Sequence, residues 1–307
     1  MSKSVTYIIV TWNNESEIED CLASLYKYSP KNTEVIVVDN NSSDKTVAII
    51  RHNFPNTKLI ESQENLGFAG GNNLALKLVH TDFICYLNPD VILTEDIIST
   101  SMDVLSNRSE IGIVASRLKN LDGSHQQSCF NFANSKTMFF DILHIGRIIP
   151  NFFKKKYFLS YYDTNKDYFP DWVIGAQMVL RTVDAKSVNG FSTEYYMYTE
   201  DMDLCKKVLV QLNKKTLYLT NSSLIHIGGA SENQNVSYNK QKKMFENIIL
   251  FVNKFYGPSE VRNTLKRMIS AYKMRYHLLN IFYRNDDKQL QLDKTSQALS
   301  ILEELRT

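Results

Sequence analysis

Three short polar runs in this chain carry the residue types that could manage a charged leaving group and a proton. The first is Asn88-Pro89-Asp90, at the end of the apolar run Phe83 to Leu87. Proline has no N–H for a β-ladder, so a central strand stops there and presents Asn88 and Asp90 at its carboxyl end. A carboxylate so placed can take Mg²⁺ or Mn²⁺, which prefer oxygen ligands and share them with substrate phosphates. The second run is Glu200-Asp201-Met202-Asp203. Clustered carboxylates repel, which raises a pKa and makes one of them a proton acceptor near neutrality. The third is His226 before Gly228-Gly229, an imidazole that can complete a metal site.

Two further runs could hold a nucleotide. Asp39 to Asp44 (Asp39-Asn40-Asn41-Ser42-Ser43-Asp44) follows an apolar stretch, and a carboxylate there can accept hydrogen bonds from a ribose or a base. Asn65 to Asn73 contains Gly67, Gly70 and Gly71, which let backbone approach a ligand ahead of a helix N-terminus that favours negative charge. The spacing is neither the dinucleotide-binding glycine pattern nor that of a P-loop. Taken singly, each run has a plainer reading: a strand-ending turn, a helix N-cap, a glycine-rich turn, a complement to the helix dipole, a structural histidine. Together they form one nucleotide-plus-metal site more economically than five unrelated turns.

The elements that must position them follow from periodicity. Val5 to Thr11 is an almost wholly apolar, β-branched strand, and Ser16 to Tyr28 a helix with Ile18, Leu22 and Leu25 on one face. Glu34 to Val38 and Lys58 to Glu61 are strands, with a helix over Thr46 to His52 between them. The helix after the glycine run spans Leu74 to Val79, and another spans Glu95 to Leu105. Ile111 to Ser116 is a buried strand, and Asn120-Leu121-Asp122-Gly123 a turn. Periodicity fades from Ser124 to Pro170, where Met138 to Tyr162 is aromatic and aliphatic and holds Lys154-Lys155-Lys156. Asp171 to Arg181 is strand-like around a glycine, and a helix with Leu204, Val208 and Leu212 follows Asp203. Thr216 to Leu219 and Ser223 to Ile227 are strands. The chain is then helical from Lys240 to about Asn280, with a break at Gly257-Pro258, and ends in a polar linker and a short helix. Alternating strands and helices predict a parallel, doubly wound α/β sheet, whose ligands bind at the carboxyl ends of the strands.

Composition narrows the class. The chain has 307 residues, 43% hydrophobic and 22% charged, with a net charge of +2. That is an ordinary globular protein whose net charge says little by itself, and no nucleic-acid partner is expected. Cys21, Cys85, Cys129 and Cys205 are scattered without metal-ligand spacing, as in a reduced cytosolic protein. No signal region opens the sequence and no apolar run reaches the ~18 residues of a membrane span, so a cytoplasmic protein is expected. Residues 240–280 nevertheless hold nine basic against two acidic side chains. Those helices, like the Met138 to Tyr162 stretch, could meet an anionic membrane surface, a second copy of the chain, or only solvent.

In this order the motifs resemble the family 2 glycosyltransferases of the GT-A fold, especially rhamnosyltransferase-like members. The resemblance covers about Val5 to Ser231. It rests on Thr11-Trp12-Asn13, Val37 to Asp44, Asn65 to Asn73, Leu87 to Asp90, Gly175-Ala176, Asn189-Gly190-Phe191, Tyr198 to Cys205 and His226 to Gly229. It implies an α/β, GT-A type, Rossmann-like and mostly parallel sheet flanked by helices over residues 1–235, with a donor half (1–120), an acceptor half (121–235) and a C-terminal helical extension (236–307). It also implies roles. Thr11, Trp12, Asn13, Asp39, Asn41, Asn65, Gly67, Gly71, Asn72 and Asn88 would bind the donor nucleotide. Trp172, Gly175, Ala176 and Asp203 would meet the sugar and acceptor. Asp90 and His226 would hold Mg²⁺ or Mn²⁺, and Asp201 would be the catalytic base beside Glu200. Asn88 replaces the first Asp of the family's pair, which removes one charge from the metal site, and Lys207 stands where many relatives have Arg.

The implied reaction is an inverting single displacement. It would carry rhamnose from dTDP-rhamnose, or a sugar from a UDP-sugar, to a glycan or lipid-linked acceptor at the inner face of the cell membrane. Two rivals remain at this stage. A nucleotidyltransferase or dehydrogenase on a related sheet lacks its glycine pattern here. A non-catalytic glycan-binding partner subunit sits poorly with intact Asp90, Asp201 and His226.

Overall fold

Val5–Thr11 (β1) is buried along its whole length, as a strand with apolar residues on both faces must be. The computed structural model describes residues 3–144, 166–195, 198–228 and 238–306. In chain order the described elements are β1, α1 (Ile18–Tyr28), β2 (Thr33–Asp39), α2 (Thr46–Asn53), β3 (Lys58–Glu61), α3 (Gly67–Leu76), β4 (Phe83–Leu87), β5 (Val91–Leu93), α4 (Ile97–Asn107), β6 (Ile111–Lys119), β7 (Cys129–Phe130), α5 (Ser135–Ile142), β8 (Trp172–Val173), β9 (Gln177–Arg181), α6 (Thr182–Ser187), α7 (Glu200–Leu212), β10 (Lys215–His226), α8 (Tyr238–Tyr256), α9 (Pro258–Phe282) and α10 (Lys288–Glu304).

The main sheet runs β3-β2-β1-β4-β9-β6-β10-β5. Strands β1 to β4 are parallel, and β6 is parallel to β10. β9 runs antiparallel between β4 and β6, and β5 antiparallel along β10. The fold is therefore α/β and GT-A-like, with a mostly parallel sheet and helices at the C-terminal end. α1 shows why the layers hold. Its Ile18, Cys21, Leu22 and Leu25 lie on one face and pack on Val5, Tyr7 and Ile9 of β1. Each such Leu or Ile contributes ~2 kcal/mol on burial. Asp96 caps α4 by accepting from the Ile98 and Ser99 amides.

The described chain divides into two compact units. The first comprises residues 3–129, 166–195 and 198–228, and the second 130–144 and 238–306. In the second unit the Ser135 amide donates to Glu260 at 2.9 Å and Arg275 to the Ile142 carbonyl at 3.0 Å, so α5 is tied to α9. Met274, Leu278, Ile281 and Phe282 of α9 are exposed. No helix among the described residues is long and apolar enough to cross a membrane.

The elements differ from expectation in five places. α3 begins at Gly67 rather than Leu74, so the glycine run is helix and not loop. The two strands expected from Thr216 onward are one, β10, which ends at His226 and has a register shift between Leu219 and Ser223. Asp171 to Arg181 is split into β8 and β9 by Ile174 to Ala176. β5 and α6 carry too few residues to show a period. The last helix is 17 residues long, not short. Lys154-Lys155-Lys156 and the stretch from 145 to 162 lie outside the described residues, as do Tyr196, Met197 and Gly229 to Ser231.

Candidate active site

Strand register sets Asp90 and His226 side by side. His226 closes β10 opposite Val91 of β5, and the Ile227 amide donates to the Asp90 carbonyl at 2.9 Å. The His226 Nε2 then lies 3.3 Å from Asp90 Oδ1. That oxygen is buried and has no well-formed hydrogen bond, since the imidazole contact is close but poorly aligned. A charged, orphaned oxygen facing an imidazole nitrogen is a donor set that fits a divalent cation completed by phosphate. Among the described residues no group of three or more His, Cys, Asp or Glu side chains gathers at one point, so Asp90 and His226 would be the protein's share.

The residues between β8 and β9 carry the geometry from Asp90 to Asp201. The Asn88 amide donates to the Ala176 carbonyl at 3.0 Å, and the adjacent Gly175 amide donates to Asp201 Oδ2 at 3.0 Å. Asp201 Oδ1 accepts from the Met202 amide at 2.8 Å. A Cβ at position 175 would stand 3.2 Å from the Phe68 ring, closer than ordinary contact, and 3.7 Å from the Asp201 Cβ. The tip of α3, the end of β4 and the start of α7 thus converge on Gly175.

Burial first, and the Glu200 charge second, push the Asp201 carboxyl up to about 7, against the Met202 and Gly175 amides. By accessible surface Asp201 is only half-buried, so protein surrounds it without sealing it from water. Glu200 is buried, and burial holds it above the usual range against the Thr199 and Tyr198 amides. The Tyr198 backbone has φ 78°, an uncommon conformation for a bulky residue, where the chain enters α7. Asp203 differs from its expected place at the sugar. It is fully buried, its oxygens accept from Ser192 Oγ at 2.5 Å and Tyr195 OH at 2.9 Å, and Lys207 Nζ lies 3.8 Å away. Lys207 also donates to the Val188 and Gly190 carbonyls. Asp203 and Lys207 therefore brace α7 and do not line an open surface.

The expected nucleotide residues form a second group on β1, β2 and α3. Asp39 Oδ1 accepts from Thr11 Oγ1 at 3.0 Å and Ser42 Oγ at 2.6 Å, and Oδ2 from the Ser42 amide at 2.9 Å. Oδ2 keeps a lone pair. Trp12, Asn13, Asn41 and Asn65 are exposed, with Asn13 and Asn41 at positive φ. Asn65 accepts from the Gly67 amide at 2.9 Å. Asn72 is buried and donates to the Phe68 carbonyl at 2.9 Å, inside its own helix. Gly71 has a packing reason: a Cβ there would stand 2.8 Å from Val10 Cγ1, so the residue lets α3 lie on β1. Trp172 and Asn88 are half-buried, and Ala176 is buried.

Sequence reasoning missed Gln126, whose Oε1 is 2.6 Å from His226 Nδ1. It also missed Asn73, whose amide exchanges two hydrogen bonds with the Phe191 backbone and ties α3 to the approach of α7. Gln126 stands in an aperiodic stretch, and the neighbouring turn was its one cue.

A model of the family described as glycosyl transferase family 2 matches residues 6–181. The N-acetylglucosaminyl-diphospho-decaprenol L-rhamnosyltransferase of Mycobacterium tuberculosis is 22% identical over 241 residues, 74% of this chain and 76% of the relative. The rhamnosyltransferase WbbL of Escherichia coli is 29% identical over 215 residues, 66% of this chain and 76% of the relative. Among solved structures, a mannosyltransferase of Pyrobaculum calidifontis in complex with GDP-Man and Mn²⁺ has a TM-score of 0.59 at 13% identity, covering 98% of this chain and 86% of that one. Residues 1–349 of Staphylococcus aureus TarS in complex with UDP-GlcNAc have a TM-score of 0.53 at 16% identity, covering 99% and 91%. At these identities the structures speak for the fold.

Proposed function

The chain belongs to glycosyl transferase family 2 and is a glycosyltransferase, and on that footing we propose an inverting enzyme that builds a cell-surface glycan. The observation that carries the reading is the bridge at residues 175 and 176. Successive backbone groups fix the end of β4, where Asp90 sits, and the carboxylate of Asp201. A leaving group and a proton acceptor must be held in one frame for a single displacement, and this bridge is such a frame.

Asp201 takes the proton from an acceptor hydroxyl. The hydroxyl oxygen forms a bond to the anomeric carbon as the bond to the donor diphosphate breaks, so configuration inverts. The raised pKa of Asp201 suits a base working near neutrality. Glu200 beside it adds to the rise. Asp90 and His226 would hold Mg²⁺ or Mn²⁺, which supplies neutralisation of the charge growing on the diphosphate. Asn88 adds no charge there, so Asp90 is the sole carboxylate of the set. Asp39, Thr11 and the exposed Trp12, Asn13, Asn41 and Asn65 form the nucleotide side.

The rhamnosyltransferase relatives support dTDP-rhamnose as donor, with a UDP-sugar as the second reading, and a lipid-linked or growing polysaccharide as acceptor. The basic, partly apolar surface of α9 supports action at the inner membrane surface. The test is a thermal-shift screen of dTDP- and UDP-sugars with and without Mn²⁺. A bound donor raises the melting temperature by mass action, and the true donor does so most in the presence of Mn²⁺. Equal stabilisation by all nucleotides, with no dependence on Mn²⁺, would remove both the donor and the cation from the reading.

A further inference from the structure

We propose that Gln126 is a positioning residue that fixes the tautomer of His226, and that the turn at residues 120–124 fixes Gln126 in its place. The proposal rests on the reading that Asp90 and His226 face a divalent cation.

The direction of each hydrogen bond follows from the one before it. Ser124 Oγ lies 2.6 Å from Asp122 Oδ1, and an ionised carboxylate can only accept, so the single Ser124 hydroxyl proton points to Asp122. The exposed Asp122 carboxyl is held below the usual range chiefly by Ser124, so it is ionised at neutral pH. Ser124 Oγ is left as the acceptor for Asn120 Nδ2 at 2.8 Å. That turns Asn120 Oδ1 towards Gln126 Nε2, which donates to it at 3.0 Å and to the His226 carbonyl at 3.3 Å. Gln126 Oε1 must then face His226 Nδ1, 2.6 Å away, and an acceptor at that distance requires the ring proton on Nδ1.

A neutral imidazole has one N–H, so Nε2 carries a lone pair. Nε2 lies 3.3 Å from Asp90 Oδ1, which has no hydrogen-bond partner of its own. Two lone pairs this close repel, and Nε2 and Oδ1 would be the atoms that hold a cation here. With the other tautomer a proton, not a lone pair, would occupy the Asp90 side of the ring. Local structure keeps the relay in register. Gly123 has φ 80°, which closes the turn, and the Gln126 amide donates to the Leu118 carbonyl at 3.0 Å. Gly228 has φ 51°, and a Cβ there would reach within 3.1 Å of Gln126 Nε2 and 3.3 Å of His226 Nδ1. No side chain fits over the pair.

The test uses the whole chain in four forms: wild type, His226→Ala, Gln126→Met, which is similar in size but neither donates nor accepts through an amide, and Gln126→Glu, which keeps an acceptor opposite Nδ1. Imidazole ¹⁵N shifts recorded without any metal report the tautomer, and His226→Ala identifies the signal. Wild type and Gln126→Glu are expected to show Nδ1–H, and Gln126→Met a mixture. Mn²⁺ binding in the presence of dTDP or UDP, read by electron paramagnetic resonance, is expected to weaken ~10–100-fold in Gln126→Met and to be retained in Gln126→Glu. An Nε2–H ring in wild type, or a Gln126→Met protein with unchanged tautomer and unchanged Mn²⁺ affinity, overturns the proposal. If wild type takes up no Mn²⁺, the cation reading of Asp90 and His226 fails and takes the ligand role of Gln126 with it. The tautomer signals still score the relay separately.

Discussion

Replacing Asp201 by Asn is expected to abolish transfer and, in the same protein, to make the fold relatively more stable at high pH. An unfolded Asp is ionised above about pH 4. In the fold, burial and then Glu200 keep Asp201 protonated until about 7. Between those values the folded state binds the extra proton. The stability contributed by Asp201 is therefore complete below about pH 4 and is lost as the pH rises to about 7. The slope is ~1.4 kcal/mol per pH unit, so wild type loses ~2 kcal/mol from this group between about pH 5.5 and about pH 7, and little more above. Asp201 is half-buried rather than sealed, so screening by water reduces the loss to ~1–2 kcal/mol.

The Asn variant has its own cost. One of the amides of Met202 and Gly175 will face an NH₂ group instead of an oxygen, a loss of ~1–3 kcal/mol. That cost does not depend on pH, so the informative quantity is the difference between variant and wild type at two pH values. For a unit of this size each kcal/mol is worth ~2–4 °C. The melting temperature of Asp201→Asn minus that of wild type is expected to rise by roughly 3–6 °C from about pH 5.5 to about pH 8.5. Turnover is expected to fall by ~10²–10⁴-fold with donor binding kept. A melting difference that is flat or falls with pH refutes the raised pKa. Retained turnover refutes the base.

Two further outcomes concern packing and surface. Gly71→Ala brings a Cβ to 2.8 and 2.9 Å from the Val10 methyls, and is expected to cost ~1–3 kcal/mol in chemical denaturation, recovered in part by Val10→Ala in the same chain. Stability equal to wild type would show that α3 does not need the close approach. The second unit is expected to sediment with anionic lipid vesicles at low salt and to be released at high salt. Ile281→Asp with Phe282→Asp should weaken that binding, and absence of sedimentation at low salt removes the membrane reading.

How much of this was legible in the sequence depends on the range of the interaction. β1, β2 and β4 announce themselves because burial on both faces demands uninterrupted apolar residues. The end of β4 at Asn88 follows from the missing N–H of Pro89. The start of α3 was misjudged because glycines read locally as breakers, whereas Gly70 and Gly71 lie in a helix that packs on Val10. Tertiary contact overrode propensity there. The insertion of β9 between β4 and β6 carries no local signature, since a five-residue apolar strand reads the same in either direction. Asp201 was visible as one of three carboxylates, but the run alone could not say which are consumed. Asp203 is saturated by Ser192 and Tyr195, and Asp201 retains an open face.

That contrast orders the polar groups at this sheet edge by what they still lack. Asp203 is fully buried with a donor on each oxygen, so it holds α7 in place. Unsatisfied buried atoms are not in themselves a sign of function: the Tyr86 hydroxyl and the Gln177 amide nitrogen are also without partners. Those groups are neutral, and each costs ~1–3 kcal/mol. A carboxylate oxygen left in the same condition costs more, because a charge loses its solvation as well as its hydrogen bonds. Among the described residues Asp90 Oδ1 is the carboxylate oxygen in that set, and 3.3 Å from it stands a nitrogen whose proton the Gln126 relay has directed elsewhere. An open carboxylate oxygen on Asp90, at a strand end bridged to Asp201, is what the proposed cation site requires.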